Sequence, residues 1–363
     1  MPGVEKIGLS PFGLSPFSRI LKIIMICSVV LLFSQLHAFA GDNENFRLQA
    51  NGSVHVEGYR FTDMKSYVGS EYFKKSGKRC GTKRMQASAK KAAVAKSVVD
   101  CTLLQTWIRS EYWPVSGTYV IPVWFHVIYQ SDGKGSISDE RIAAQIQVLN
   151  EDYGAHADTL GAEGVDTHIQ FELAGITRTL NNDWFYEDLD GVDELQFKTA
   201  LHKDLNKYLN VYTNLPAGGN LGYAYYPQDY AGQVLDGIVL QHETVGGRDN
   251  GFPDYDQGRT LVHEMGHYLG LLHTFENGSL CANGYITGDL IWDTASEQQA
   301  HYECRQTYSC GSADPIYNYM NYTDDSCAKG FTREQANRAV CSLVNYRPAG
   351  YRVVLALSGA TFS

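Results

Sequence analysis

The side chains best suited to chemistry fall in one short run, residues 263–273, which reads His-Glu-Met-Gly-His-Tyr-Leu-Gly-Leu-Leu-His. On a helix, His263 and His267 lie four residues apart, so both imidazoles project from one face. Gly270 lets the backbone leave the helix, because glycine adopts left-handed geometry at little steric cost, and His273 can then supply a third nitrogen. Three imidazoles and one water make an open tetrahedral zinc site, so the run predicts a catalytic zinc.

Glu264 follows the first histidine and can reach a water held on that metal. A chance match on an ordinary amphipathic helix is the alternative, but five fixed positions rarely coincide in one chain. The run therefore predicts a zinc hydrolase. A further alternative is a catalytically silent binding protein that keeps the metal-containing fold. Such a protein would have lost Glu264 or a histidine, and all are present.

Residues 1–40 predict a secretory signal peptide. Arg19 and Lys22 precede an apolar run, 23–33, and an Ala-Phe-Ala sequence then offers a cleavage site after residue 40. The run is short for a membrane span, so we expect no stable membrane anchor; a signal anchor and a start at Met25 stay open. Secretion permits disulfide bonds.

Charge divides the rest of the chain into two parts. Residues 41–112 contain 13 Lys and Arg against 7 Asp and Glu, whereas residues 113–363 contain 14 against 32. We interpret the first part as a pro-segment that docks by charge on an acidic catalytic domain, the alternative being a basic surface or linker without that role. Because the chain has no recognised nucleic-acid module and a net charge of −10, we expect no nucleic-acid partner.

Periodicity and capping residues predict an α/β domain of the α+β type with an irregular, cysteine-rich lower half. Strands are expected at residues 119–129, 169–176, 209–212, 222–227 and 237–241, the fourth of them at a sheet edge. Helices are expected after a Ser138 cap, at 257–269 for the histidine helix, and at 332–345. In the pro-segment, residues 87–99 look helical and no sheet pattern is evident.

The sequence Asn-Tyr-Met-Asn-Tyr at residues 318–322 resembles the Met-turn of the metzincin metallopeptidases when it is taken with the zinc motif. The resemblance is closest to the pappalysin family, whose small secreted members include ulilysin-like enzymes, and it covers residues 119–344. Further matching stretches are Gln-Ile-x-Val-Leu-Asn from Gln145, His-Thr-Phe from His273, Asp-Thr from Asp293, Asp-Pro-Ile from Asp314, Asp-Ser-Cys from Asp325 and Phe-Thr-x-x-Gln from Phe331.

The resemblance implies a metzincin fold of two subdomains. A mixed twisted sheet and the zinc-binding helix form the upper one, above an irregular lower one linked by disulfides. It also implies a secreted zinc endopeptidase that is made as a latent zymogen and acts on protein or peptide substrates.

Individual roles follow from the same resemblance. Glu264 resembles the general base that takes a proton from the zinc-bound water and passes it to the leaving nitrogen. Tyr322 resembles the Met-turn tyrosine, a zinc neighbour or a donor to the tetrahedral intermediate, and Met320 is structural. The family usually has aspartate where this chain has Asn321, which we expect to weaken one contact without removing catalysis. The residues that resemble the zinc ligands are His263, His267 and His273.

Seven cysteines follow the signal peptide, and four of them lie in the lower half. Sequence permits three pairings of those four. The resemblance implies the pairs Cys281–Cys310 and Cys304–Cys327.

Cys80 in the pro-segment resembles the cysteine switch of metzincin zymogens, in which a thiolate occupies the open zinc position. A thiolate is a good zinc ligand, and neighbouring basic residues are expected to lower its pKa. The alternative is a local disulfide between Cys80 and Cys101, although Cys101 could equally pair with Cys341.

Asp325 lies where some ulilysin-like relatives have an acid at the base of the S1′ pocket. A buried carboxylate there would favour Arg or Lys just after the scissile bond and would allow self-processing before Arg109. An exposed loop acid or a calcium ligand is the alternative. The family often carries calcium after the third histidine, where Asp289 and Asp293 are candidates. We interpret the remaining histidines, including His126, His168, His242 and His301, as ordinary core or surface residues.

Overall fold

The computed structural model describes most of the chain beyond the predicted signal peptide. The described residues are 46–49, 51–76, 79–83, 101, 117–187, 191–247, 251–276, 281 and 288–355. The signal peptide, the predicted helix at 87–99 and Arg109 all lie outside them. Across the described ranges, no helix has the length and apolar character needed to cross a bilayer.

The described part of the predicted pro-segment begins with a small antiparallel sheet. Its strands are β1 (Arg47–Leu48), β2 (Val54–Val56) and β3 (Tyr59–Phe61), and the helices α1 (Met64–Val68) and α2 (Glu71–Ser76) follow. The expectation of no sheet here was wrong, because strands of two or three residues are too short to show an alternating pattern.

The catalytic part combines one large sheet with helices. Its strands are β4 (Thr118–Tyr129), β5 (Ile169–Leu180), β6 (Leu209–Asn214), β7 (Gly222–Ala224), β8 (Ile238–Gln241), the hairpin strands β9 (Tyr308–Ser309) and β10 (Ser312–Ala313), and β11 (Arg352–Val354). Its helices are α3 (Asp139–Tyr153), α4 (Asn182–Phe185), α5 (Val192–Leu201), α6 (Pro227–Tyr230), α7 (Arg259–Tyr268) and α8 (Arg333–Tyr346). The predicted mixed α/β architecture is confirmed, with small shifts in the ends of elements.

The large sheet is mixed, and its order places β7 at one edge. Strands run in the order β5, β4, β6, β8, β7, with β11 pairing the start of β4. β4, β5, β6 and β8 are parallel, whereas β7 and β11 are antiparallel to their neighbours. Helix α7 packs on α3, β7 and β8. This packing brings the histidine helix beside the edge strand.

Local sequence explains where the two longest helices begin. The Ser138 hydroxyl accepts a hydrogen bond from the Arg141 backbone N–H at 3.3 Å and so caps α3. Thr332 and Gln335 form a reciprocal capping box at the start of α8. Each cap satisfies backbone donors that a helix start leaves without partners.

Disulfides fasten the lower half and also join the pro-segment to the catalytic part. The three bonds are Cys101–Cys341, Cys281–Cys310 and Cys304–Cys327. The last two are the pairs that the resemblance implied. Cys80 is free and buried, so the alternative of a Cys80–Cys101 bridge is wrong. The Cys101–Cys341 bond ties the predicted pro-segment to α8.

The predicted pro-segment contacts the rest of the chain through apolar and charged side chains. Phe73 is fully buried, and its ring meets that of Tyr255 edge-on at 6.0 Å. Lys74 adds two longer ion pairs, 3.9 Å each, to Asp254 and Glu303. Pairs at that distance between part-exposed groups stabilise little. Apolar burial and ion pairs both contribute to this contact, and docking by charge stays a prediction.

Candidate active site

Three imidazoles converge at the end of α7. His267 Nε2 lies 3.2 Å from His263 Nε2 and 3.0 Å from His273 Nε2. All three residues are buried. These two distances are close to the separation of about 3.4 Å between ligands in a tetrahedron around zinc, whose bonds to histidine are about 2.0–2.1 Å long. The donor set and spacing therefore fit a metal with N ligands.

Oxygen acceptors fix the orientation of each ring. His263 Nδ1 lies 2.7 Å from the Tyr319 carbonyl, and His267 Nδ1 lies 2.7 Å from the Leu271 carbonyl. His273 Nδ1 lies 3.3 Å from a Glu276 carboxylate oxygen. A proton on each Nδ1 leaves the lone pair on Nε2, which is the arrangement a metal requires.

Burial also keeps the first two rings neutral. The pKa values of His263 and His267 are lowered well below 6.5, chiefly by burial and then by the neighbouring histidines. A neutral imidazole is the ligand form, so the environment prepares these side chains for a metal.

Gly270 lets the chain turn so that His273 can face the other two rings. Its φ is +85°, and a Cβ there would lie 2.6 Å from Ser342 Oγ of α8. Both the left-handed backbone and the close approach exclude a side chain. The sequence-based role of this glycine agrees with the geometry.

Met320 lies directly beneath α7, where Gly266 leaves space for it. A Cβ on Gly266 would lie 2.3 Å from Met320 Sδ and 3.1 Å from its Cε. Met320 itself is fully buried. The Met320 side chain therefore packs against α7 in the space that the absence of a side chain at Gly266 leaves. We call this packing the interlock.

Replacing Gly266 by alanine should destabilise the fold, because the new methyl group must displace the buried thioether. Overpacking of this kind costs about 1–3 kcal/mol, and the better helix propensity of alanine returns up to about 1 kcal/mol. Urea unfolding measures the change. Gly247→Ala is the matched control, since its Cβ would meet only Ala144, at 3.4 Å. Equal stability of the two variants would contradict the interlock.

Glu264 lies on the same helix, next to the first ligand candidate. It is 1% exposed, and burial raises the pKa of its carboxyl to about 7. Its Oε2 accepts a hydrogen bond from the Thr82 hydroxyl at 3.0 Å and lies 3.5 Å from Cys80 Sγ, whereas Oε1 has no partner among the described residues. The pro-segment thus covers this carboxylate directly.

Cys80 reaches the histidines because its segment runs along the edge strand. The Gly81 N–H donates to the Gly222 carbonyl at 2.9 Å, and the Leu221 N–H donates to the Arg79 carbonyl at 3.0 Å, in a parallel pairing. Cys80 Sγ and the three imidazole nitrogens all lie within 4.8 Å of one another. The sulfur therefore stands where a fourth metal ligand would be.

The expected depression of the Cys80 pKa does not occur. Burial, and next the nearby Glu264 carboxylate, raise the pKa of this thiol well above 9.0, while hydrogen bonds from Thr82 lower it only partly. Basic neighbours are not the dominant influence that the sequence indicated. Formation of a thiolate here depends on a positive metal ion instead.

Tyr322 stands over the histidines, as the Met-turn resemblance implied. Its ring centroid lies 5.0 Å from that of His273 and 5.7 Å from that of His263. The hydroxyl lies 3.5 Å from the Cys80 carbonyl, and burial raises its pKa well above 10.0. The phenol is a proton donor at neutral pH, at the border between the pro-segment and the histidines.

Asp325 is fully buried beside the site and faces an arginine of the pro-segment. One oxygen accepts from the backbone N–H groups of Gln257 at 2.9 Å and Arg259 at 3.1 Å, at the start of α7. The other lies 3.6 Å from an Arg79 guanidinium nitrogen. Arg79 is 1% exposed, stacks over Tyr255 and donates to the Asn321 carbonyl. Asp325 is therefore not an exposed loop acid, and a buried cation already contacts it.

The asparagine that replaces the usual aspartate after Met320 is matched by a glutamate. Asn321 Nδ2 donates to both carboxylate oxygens of Glu297, at 2.9 and 3.0 Å. Its Oδ1 accepts from the backbone N–H groups of Tyr322 and His301. The amide is fully used by these partners, and the expected weakening of one contact stays a prediction.

Asn321→Asp should therefore destabilise this chain, even though aspartate is usual in the family. The change removes two N–H donors and sets a second carboxylate against Glu297, a loss of about 2–3 kcal/mol. Burial raises the pKa of Glu297 to about 8, so the penalty should grow as pH rises towards 9 and Glu297 ionises. Thermal unfolding in the presence of a chelator at pH 6 and pH 9 measures it, with Asn206→Asp as control. A pH-independent difference would contradict the carboxylate contact.

Two contacts of the site had no sequence signal. Arg79 stands beside the flagged Cys80, and its burial against Asp325 was not predicted. Thr82 belongs to the same stretch, and its contact with Glu264 has no motif. Of the calcium candidates, Asp289 accepts from the Ile291 N–H through one oxygen, and Asp293 accepts from the Glu334 N–H. Calcium stays a prediction.

Comparisons with known proteins identify the family to which the chain belongs. The family profile described as pregnancy-associated plasma protein-A, peptidase family M43, matches residues 194–344. Extracellular metalloprotease 1 of Coccidioides posadasii is 38% identical over 228 residues, which cover 60% of this chain and 74% of that protein. The chain belongs to the pappalysin family. This pappalysin is accordingly a zinc metalloendopeptidase by descent.

Solved structures agree with the pappalysin assignment. Mature mirolysin of Tannerella forsythia in complex with a cleaved peptide has a TM-score of 0.54 and 28% identity, covering 65% of this chain and 99% of that one. A promirolysin mutant from the same organism has a TM-score of 0.58 and 27% identity, covering 74% of this chain and 94% of that one. The pro-form aligns with more of this pappalysin than the mature form does.

Proposed function

We propose that this pappalysin is a secreted zinc endopeptidase whose pro-segment keeps it latent through Cys80. The observation that carries the proposal is the convergence of Cys80 Sγ with the nitrogens of His263, His267 and His273 within 4.8 Å. A zinc ion held by these histidines would polarise the peptide carbonyl and lower the pKa of a water. The signal-peptide pattern and the extracellular relatives support secretion.

Glu264 is the proposed general base. Its carboxylate has one oxygen free of hydrogen bonds, and its other oxygen contacts only pro-segment groups in the described structure. When the pro-segment leaves, both oxygens become available to the attacking water and to the leaving nitrogen. A carboxylate in this position can take a proton from the water and return it to the leaving nitrogen.

The pro-segment supports latency by filling several positions at once. Cys80 occupies the fourth ligand position, Thr82 covers Glu264, and Arg79 lies against Asp325. The coverage of promirolysin, larger than that of mature mirolysin, supports assigning the docked part of residues 41–112 to a pro-segment. We propose that removing it opens all three positions together.

Asp325 is the proposed base of the S1′ pocket, with Arg79 as its occupant in the latent state. The pocket holds a guanidinium between a carboxylate and the face of Tyr255, whose ring centroid lies 5.0 Å from it. This pairing supports a preference for arginine, and secondarily lysine, just after the scissile bond.

Hydrolysis of a denatured protein by the processed enzyme tests the proposal. We expect activity that a chelator abolishes and that Zn²⁺ restores, and we expect the unprocessed chain to be inactive. Processing with a trace of trypsin, followed by trypsin inhibitor, generates the active form. Activity that survives complete zinc removal, measured by metal analysis, would contradict the zinc mechanism.

Asp325→Asn should weaken cleavage before arginine. The amide still accepts the two backbone hydrogen bonds at the start of α7, but it lacks the charge, and a charge-assisted hydrogen bond contributes about 1.5–3 kcal/mol. We expect kcat/KM for P1′ arginine peptides to fall roughly 10-fold to 100-fold. Asp324→Asn is the control, and a peptide library reads out the preference. An unchanged arginine preference would exclude Asp325 from the pocket.

A further inference from the structure

A second cluster of ligating side chains lies in the loop between the third histidine and the Met-turn. Glu297, His301 and Asp314 each offer one ligand atom, and these atoms lie within 4.8 Å of one another. His301 Nε2 is 3.1 Å from Asp314 Oδ2 and 3.6 Å from Glu297 Oε2. The catalytic imidazoles have nearly the same spacing, at 3.0 and 3.2 Å.

One carboxylate oxygen points into this cluster without a hydrogen bond. Asp314 is 3% exposed, and its Oδ1 accepts from the backbone and hydroxyl of Ser309. Its Oδ2 receives no hydrogen bond from any described residue, although His301 Nε2 is only 3.1 Å away. Two polar atoms that are this close and not aligned as donor and acceptor are placed like two ligands of one ion.

The charge in the cluster is also unbalanced. Glu297 is 1% exposed and takes hydrogen bonds from Thr274 and Asn321. Among the described residues, neither Glu297 nor Asp314 forms an ion pair with a lysine or arginine, and each of them forms an ion pair with His301. Two buried carboxylates beside one imidazole require a cation or a retained proton.

We propose that Glu297, His301 and Asp314 bind a second divalent metal ion of the zinc type. Ligands at about 2.0–2.2 Å in a tetrahedron are about 3.4 Å apart, close to the two distances observed here. One imidazole with two carboxylates suits zinc, whereas calcium selects oxygen ligands throughout. The Thr307 hydroxyl, 3.1 Å from His301 Nε2, or a water completes four ligands. This proposal replaces the interpretation of His301 as an ordinary residue.

The position of the site indicates a structural role. Glu297 is bonded to Asn321 of the Met-turn, and Asp314 follows the β9–β10 hairpin. A metal between them would join the disulfide-linked loop to the floor of the active site. The site is separate from the three catalytic histidines, and it does not depend on the proposed latency or specificity.

Zinc stoichiometry of the full-length, unprocessed protein tests the proposal. After equilibration with buffered free Zn²⁺, we expect two zinc ions per wild-type chain and one in His301→Ala. Asp314→Asn, which keeps the size of the side chain and the bonds to Ser309, should also bind one. His156→Ala, an exposed histidine, is the matched control and should bind two.

Stability measurements guard against a variant that merely misfolds. Zn²⁺ should raise the melting temperature of the chelated wild type in two separable steps, and the His301 and Asp314 variants should retain only one of them. In chelator, Asp314→Asn should unfold close to wild type. Equal zinc content in the wild type and in both variants, as expected for a histidinium–carboxylate ion pair, overturns the proposal whatever the occupancy of the three-histidine site.

Discussion

Replacing Glu264 by alanine is expected to lower kcat/KM for peptide hydrolysis by about 100-fold to 10,000-fold, the range that a general base contributes. The carboxylate is not one of the converging metal ligands, so zinc content should stay unchanged. Glu264→Gln should lose nearly as much activity, since an amide keeps the shape and cannot accept a proton at neutral pH. With zinc content unchanged, both losses of activity would be assigned to the proton-transfer step.

The measurement requires processed protein, because an inactive variant cannot process itself. Wild type and variants are therefore treated with the same trace of trypsin, and kcat/KM is compared with metal content. Glu163→Ala is the control, since Glu163 is exposed and pairs with Lys329 at the surface. Wild-type activity in Glu264→Ala would end the proposed mechanism, whatever the metal content.

The surroundings of Glu264 predict the acid limb of the pH profile of the processed enzyme. In the latent form, burial raises the pKa of Glu264 to about 7, and the pro-segment supplies part of that burial. Removing the pro-segment exposes the carboxylate to water, so its pKa should fall. The acid limb of kcat/KM for the processed enzyme should therefore lie below pH 7.

The metal-binding helix was predictable because its chemistry is local. The spacing of His263 and His267 and the glycine that returns His273 are all encoded within eleven residues. The large sheet was predictable for a related reason, since long strands such as Thr118–Tyr129 show their burial in their composition. In both cases the sequence pattern lies within the single helix or strand that it predicts.

The contacts on which the proposed latency and specificity rest were not predictable in the same way. Arg79 reaches the Asn321 carbonyl across 242 residues, and Thr82 reaches Glu264 across 182. No periodicity links positions so far apart. The hydrogen bond between Asn321 and Glu297 is a further case, because nothing in the sequence indicates that these two side chains meet.

The Cys101–Cys341 disulfide changes what maturation must achieve. A cut before Arg109, which the basic preference suggested, falls on the carboxyl side of Cys101 and leaves the pro-segment bonded to α8. A tethered inhibitor acts at an effective concentration of about millimolar, so Cys80 would return to the histidines. A cut between Cys80 and Cys101 would release it, and the sequence offers Lys83 and Arg84 there.

We therefore expect cleavage on opposite sides of Cys101 to have opposite effects. A recognition site for a specific protease is placed at residues 86–92 in one variant and at 105–111 in another. Cutting the first should give full activity. Cutting the second should leave activity about 1,000-fold lower, because a tethered pro-segment at an effective concentration of about millimolar exceeds a dissociation constant of about micromolar by that factor. Removing the disulfide by Cys101→Ser with Cys341→Ser should let the second cut activate as well. Full activity after the second cut with the disulfide intact would show that the tether does not hold the pro-segment in place.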